Sequence, residues 1–195
     1  MKILIACEFS GTVREAFRKR GHVAWSCDLL PAEDNSYYHI KGDVRDYLTA
    51  DWDMMVAHPP CTDLAVSGAR YFAEKRKDGR QQSAIDFFMD LAHAPIELIC
   101  IENPVGIMST VYRKPDQIIQ PWMFGHAESK ATCLWLKGLP VLQATNIIPV
   151  PESGRWSNQT PSGQNKLGPS PDRWKKRSKT YQGVADAMAE TWGCL

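Results

Sequence analysis

The sequence has no apolar run of the roughly twenty residues that a membrane-spanning helix needs, and no excess of either charge. Lys and Arg number 23 against 22 Asp and Glu, a net charge of +1. That balance gives no global case for a nucleic-acid or acidic partner and leaves only local clusters to argue from. Six cysteines (7, 27, 61, 100, 133 and 194) form no Cys-x-x-Cys pair, so zinc-ribbon and thioredoxin-like chemistry lack their spacing. In a reducing compartment most of them are expected to be free, buried thiols. The opening "MKILIACEFSG" has neither the apolar segment nor the cleavage site of a secretory signal, which predicts a cytoplasmic protein with no membrane contact. No internal repeat occurs. What is present, 195 residues of which 44% are hydrophobic and 23% charged, is the composition of one ordinary globular domain, residues 1–195.

The first half alternates strand-like and helix-like patterns. Residues 2–7, 22–28, 53–60 and 96–104 read as strands, the last two stopped by prolines; residues 12–21 and 82–95 have helical spacing. Strands separated by helices predict an α/β fold, a mostly parallel sheet with helices on both faces. In such sheets ligands bind beyond the carboxyl ends of the strands. The polar and reactive groups stand there: Glu8-Phe9-Ser10-Gly11, Asp28, Asp43, Pro60-Cys61 and Glu102-Asn103-Pro104. Residues 149–174 are rich in Pro, Gly, Ser and Asn and read as an irregular excursion, and 180–193 as a closing helix.

Four stretches in this order, "EFSGTVREAFRKRGHVAWSCD", "HPPCTDLAVSG", "IENPVG" and "YQGVADAMAE", make the chain resemble the DNA cytosine-5 methyltransferases. The resemblance covers roughly 1–140 and 178–193. It implies a Rossmann-like fold that uses S-adenosyl-L-methionine, with Phe9, Ser10, Gly11, Asp28, Asp43 and Pro59 on the cofactor. Gly11 would let backbone approach the methionine portion, Asp28 would take the ribose hydroxyls, and Asp43 would sit near the adenine amino group. Cys61 would be the thiolate that adds to carbon 6 of cytosine, making carbon 5 nucleophilic. Glu102 would serve ring nitrogen 3, a role suited to a carboxyl whose pKa burial raises. Pro60, Asn103, Lys130, Lys175 and Lys176 are expected on the substrate side.

The chain also departs from that family's pattern. The stretch matching the Gln-x-Arg-x-Arg motif is "FGHAESKATCLWLKG", with His126, read as structural, and Lys130 in place of arginines. In place of a large target-recognition domain stand only residues 149–178, with the basic "DRWKKRSK"; a second basic stretch, "RYFAEKRKDGR", reads as a mobile loop closing over substrate. The partner expected is therefore DNA or a pyrimidine nucleotide, with no metal. Two other readings stay open: hypermodification or nucleotide-level chemistry by the same thiolate addition, and a non-catalytic nucleic-acid-binding protein on this scaffold. The sequence does not give the oligomeric state.

Overall fold

A computed structural model describes residues 1–163 and 165–195. Five parallel strands form the sheet's body: β1 (Lys2–Ala6), β2 (Val23–Asp28), β3 (His39–Lys41), β4 (Met54–Ala57) and β5 (Leu98–Pro104). Two more, β6 (Gln117–Ile119) and β7 (Thr132–Lys137), complete the order β3-β2-β1-β4-β5-β7-β6, with β7 antiparallel to both neighbours. Helices α1 (Thr12–Arg18), α2 (Phe72–Lys77), α3 (Arg80–Ala92), α4 (Met108–Val111), α5 (Arg173–Ser178) and α6 (Gln182–Trp192) are joined by short 3-10 turns.

The two-residue period of the strands divides the core. Ile3, Ile5, Met54, Val56 and Leu134 face one side, against Val13 and Phe17 of α1 and Val184, Met188 and Trp192 of α6. Leu4, Ala6, Met55, Ala57 and Trp135 face the other, against Phe88 and Leu91 of α3. Strands buried on both faces read as unbroken apolar runs, which is why "ILIA" and "MMVA" were legible as strands. The strands β3, β6 and β7 were not read from the sequence. Two of them have only three residues each, too few for a period to show.

The strand order turns back on itself between β1 and β4, so the loops leaving these neighbours diverge and open a crevice at their carboxyl ends. Cys7 ends β1 in a left-handed conformation (φ 59°), its N–H donating to the Cys27 carbonyl at 2.7 Å. The loops after β4 and β5 are then stitched together. Val66 N–H donates to the Val105 carbonyl, and Ile107 N–H to the Leu64 carbonyl, both at 3.0 Å. Gly106 permits this approach, because a Cβ there would lie 2.4 Å from the Leu64 carbonyl oxygen. Backbone cannot yield as a flexible side chain can. Gly106→Ala is therefore expected to destabilise the fold by about 1–3 kcal/mol, the usual cost of overpacking, read as a lower urea midpoint.

Candidate active site

The loop after β4 carries Cys61, and its prolines do two jobs. Pro59 is buried and Pro60 exposed, and Pro59 offers its carbonyl to the Asn103 side chain, whose Nδ2 donates at 2.7 Å. Asn103, expected on the substrate side, is 2% exposed and works as a tie between the two loops. From the far side Lys75 of α2 holds the same loop, donating to the Thr62 carbonyl and pairing with Asp63 at 3.0 Å. Gln81 adds a bond to the Asp63 carbonyl at 3.2 Å. Basic residues of "RYFAEKRKDGR" thus include a buried anchor beneath the cysteine loop. Nothing in the sequence separated Lys75 from its exposed neighbours.

Glu102, near the end of β5, comes to the same place as Cys61: its charge is among the causes that raise the thiol's pKa. Burial is the larger cause, and Lys130 and Arg177 oppose both. The half-buried Cys61 is thus held above the ordinary thiol value, so it rests as a thiol rather than a thiolate. Cys61 was expected as a thiolate; at rest the electrostatics favour the thiol.

A second expectation is also corrected. Burial does push the Glu102 carboxyl up, but the His58 hydrogen bond, the Lys130 charge, the His58 charge and the Thr132 hydroxyl outweigh it. The net position is below the ordinary glutamate value. His58 Nδ1 lies 2.8 Å from Glu102 Oε2, and both side chains are nearly buried. The sequence reading passed over this histidine, because the proline-cysteine pattern drew attention one step further along.

The loop after β1 forms the other side of the crevice. Gly11 needs its glycine for local reasons: φ is +75°, and a Cβ would strike the Arg14 guanidinium. Gly11 has no side chain to cap α1, and Glu8 does so instead. Its two oxygens accept from Val13 N–H at 2.7 Å and Arg14 N–H at 3.2 Å, while Ser10 Oγ donates to the first at 3.3 Å. Burial pushes the Glu8 carboxyl up; the His58 charge and these N–H groups pull against it. Asp28 closes β2 half-buried, its pKa raised by burial, with Oδ1 accepting from Leu30 N–H at 2.9 Å. Asp43 is spent on Arg45, whose side chain grips both carboxylate oxygens and holds the pKa low.

Residues 149–178, expected to be irregular throughout, contain α5, which lies as a strap over this loop. Trp174 packs on Phe9 with ring centroids 6.0 Å apart, and the Lys175 ammonium sits 5.6 Å from the Phe9 ring centre. Glu33 pins the strap from below, pairing with Lys175 at 3.0 Å and Lys179 at 2.6 Å. Lys175, expected on phosphate, is thus engaged within the protein; among the described residues Lys176 has no ion pair. Beneath the strap is a cavity of about 40 Å³ lined by Cys7, Glu8, Phe9, Ser10, His58 and Ser178–Thr180. A second, of about 10 Å³, is lined by Glu102, Lys130, Thr132 and Tyr181 among others. Lys130 Nζ reaches the Lys179 carbonyl at 3.4 Å. His126 packs on Tyr181 with ring centroids 5.1 Å apart and accepts from Gly183 N–H at 3.0 Å.

No family model matches this sequence, and no curated protein does. Among solved structures, the chain is similar to a protein assigned as a DNA modification methyltransferase encoded within an E. coli prophage, with a TM-score of 0.51 and 15% identity. That match covers 77% of this chain and 53% of the other. S. pombe Dnmt2 methyltransferase is similar at a TM-score of 0.46 and 16% identity, over 72% and 50% of the two chains. The chain spans about half the length of each. The first likeness and the sheet order show the fold: it is the Rossmann-like fold of S-adenosylmethionine-dependent methyltransferases.

The thiol's electrostatics make a direct prediction. A raised pKa lowers the thiolate fraction at neutral pH and restores it as pH climbs, so iodoacetamide should label Cys61 at pH 7 more slowly than the exposed Cys194. Glu102→Gln removes a negative neighbour and should speed Cys61 labelling at pH 8. Equal rates in the two proteins, read by peptide mass mapping, would remove the coupling.

Proposed function

We propose that this protein is an S-adenosylmethionine-dependent methyltransferase that modifies carbon 5 of cytosine in DNA through a covalent Cys61 adduct. The observation that carries the reading is that Cys61, in the loop after β4, feels the charge of Glu102, near the end of the neighbouring β5, and that this pair of strands adjoins the β1–β4 switch point. Fold alone would not carry it, since one fold hosts many activities.

The residues at this edge suit the cofactor. Asp28 presents a carboxyl at the end of β2 beside Leu29, an apolar side chain 70% exposed where an adenine ring would find a flat surface. Among the described residues His58 Nε2 has no hydrogen-bond partner; it is buried, in a residue that lines the Cys7–Ser10 cavity, where a polar ligand group would satisfy it. Sites for ligands of this size occupy roughly 300–1,000 Å³, so the strap must lift from Phe9 to admit one. When bound, the cofactor supplies an electrophilic methyl on a sulfonium.

The chain's own residues do the rest. The ties from Asn103 and Lys75 hold Cys61 in place before substrate arrives, which is how positioning lowers a barrier. Cys61 adds to carbon 6, Glu102 serves ring nitrogen 3, and Lys130 neutralises charge that builds between them. Lys176, Arg173 and Arg177 on α5 provide the backbone contacts that a phosphodiester substrate needs. The small second cavity and the short strap leave a nucleotide-level substrate as the alternative that the same experiment decides.

Mass spectrometry of DNA and of free pyrimidine nucleotides, incubated with methyl-labelled cofactor, reads both the substrate and the atom modified. Label on carbon 5 of cytosine in DNA is the expected result. Cys61→Ser should fold normally and lose turnover. A serine variant with full activity, or no label on any pyrimidine, would overturn the reading.

A further inference from the structure

We propose that His58 positions Glu102 and stores the proton that this acid lends to the substrate ring; the inference rests on the pyrimidine chemistry proposed above. His58 stands directly before the proline stop of β4, so its backbone is fixed. Its N–H donates to the Ala6 carbonyl at 2.9 Å, carrying the β1–β4 pairing one residue past the strand. From that anchor the imidazole reaches across to β5 and places Nδ1 2.8 Å from Glu102 Oε2. The His58 side chain is 8% exposed and that of Glu102 10%, so neither moves freely and water does not compete for the bond.

The direction of the hydrogen bond follows from the carboxyl. Glu102 is held below the ordinary glutamate value and is ionised at neutral pH, so it accepts and Nδ1–H donates. A carboxylate that has given up its proton has none for ring nitrogen 3. The group at hand to supply one is the imidazole. The charged and titratable groups around the ring are Cys7 and Glu8 from the loop after β1, Glu102 from β5 and Lys179 from the end of the strap, while Lys130 and Cys61 interact with Glu102. The imidazole therefore lies between two carboxyl groups. Among the described residues its Nε2 has no hydrogen-bond partner, and the second hydrogen of the imidazolium that the proposal requires would sit there.

The proton then moves without leaving an unbalanced charge. The Cys61 thiol releases its proton to solvent as its sulfur bonds to carbon 6, and the electron pair of the 5,6 double bond shifts into the ring and reaches nitrogen 3. Nitrogen 3 takes a proton from Glu102, and Glu102 takes the Nδ1 proton of His58. The imidazolium becomes a neutral imidazole with its hydrogen on Nε2, Glu102 is again a carboxylate, and nitrogen 3 is neutral. When the carbon–sulfur bond breaks at the end of the reaction, the proton returns by the same route.

Two variants separate holding from storing. His58→Asn puts an amide N–H where Nδ1–H was but has no proton to give; His58→Ala removes both. The titration of the Glu102 carboxyl is followed by carbon-13 NMR in glutamate-labelled protein, its resonance assigned by its loss in Glu102→Gln. In wild type and His58→Asn the carboxyl should titrate below ordinary glutamate, and in His58→Ala its midpoint should rise by about one unit or more. Methyl transfer should fall about tenfold or more in His58→Asn, with its pH–rate profile changed in shape. A Glu102 titration that ignores residue 58, or a His58→Asn profile that superimposes on wild type, would overturn the proposal. A wild type that methylates no pyrimidine overturns the reaction and the proton's destination with it. The carboxyl titration still decides whether His58 positions Glu102.

Discussion

One hydrogen bond holds the working edge of this molecule together: the Asn103 amide on the Pro59 carbonyl, joining the ends of β4 and β5. Within a parallel sheet the strands are locked by their ladders, but past their last residues the loops are free to part. Here they do not part. The Asn103 bond, the His58–Glu102 contact beside it and the backbone pairs flanking Gly106 continue the β4–β5 neighbourhood beyond the sheet. The loop that carries the thiol is thereby held against the strand that carries the Glu102 carboxyl. Every chemical statement about Cys61 depends on that.

The electrostatics of the edge follow from its burial. A thiolate and a carboxylate cannot both be comfortable in a poorly solvated pocket, and the two cations near them, Lys130 and Arg177, do not outweigh burial at the sulfur. The carboxyl wins because it has a dedicated hydrogen-bond donor, and the sulfur stays protonated. For an addition to a pyrimidine ring this is a workable resting state. In the addition proposed above, the thiol gives up one proton and nitrogen 3 gains one, so neither the sulfur nor the ring is left charged. An ionised cysteine at rest would gain reactivity toward any electrophile that entered.

The fold was legible in the sequence to the extent that burial imprints a pattern. Strands β1 and β4, buried on both faces, and helices α1, α3 and α6, with one apolar stripe each, show their periods plainly. Strand β7 was missed because "TCLWLK" sits inside the stretch matched to an arginine motif, and its antiparallel pairing leaves no local mark. Cys61 and Glu102 were legible because each stands against a proline stop. His58, Lys75 and Glu33 were not. Their meaning lies in partners far along the chain: Glu102 for His58, Thr62 and Asp63 for Lys75, Lys175 and Lys179 for Glu33. The strap was illegible for the same reason, since Trp174 and Lys175 look like solvated residues until Phe9 is found beneath them.

Resemblance of fold leaves the chemistry open, so the weight falls on what the edge costs. Buried polar groups without partners are destabilising, by about 1–3 kcal/mol each, and the structure holds several together here. Among the described residues His58 Nε2 and Asn103 Oδ1 have no hydrogen-bond partner, while Glu8 and Glu102 are carboxyls in a nearly dry setting. A scaffold that merely bound nucleic acid through its surface would be more stable with apolar residues at these positions. Strain and unsatisfied polarity of this kind collect where a ligand or a reacting group completes them. They collect here at the strand ends between β1, β4 and β5, where a methyl donor and a ring would meet.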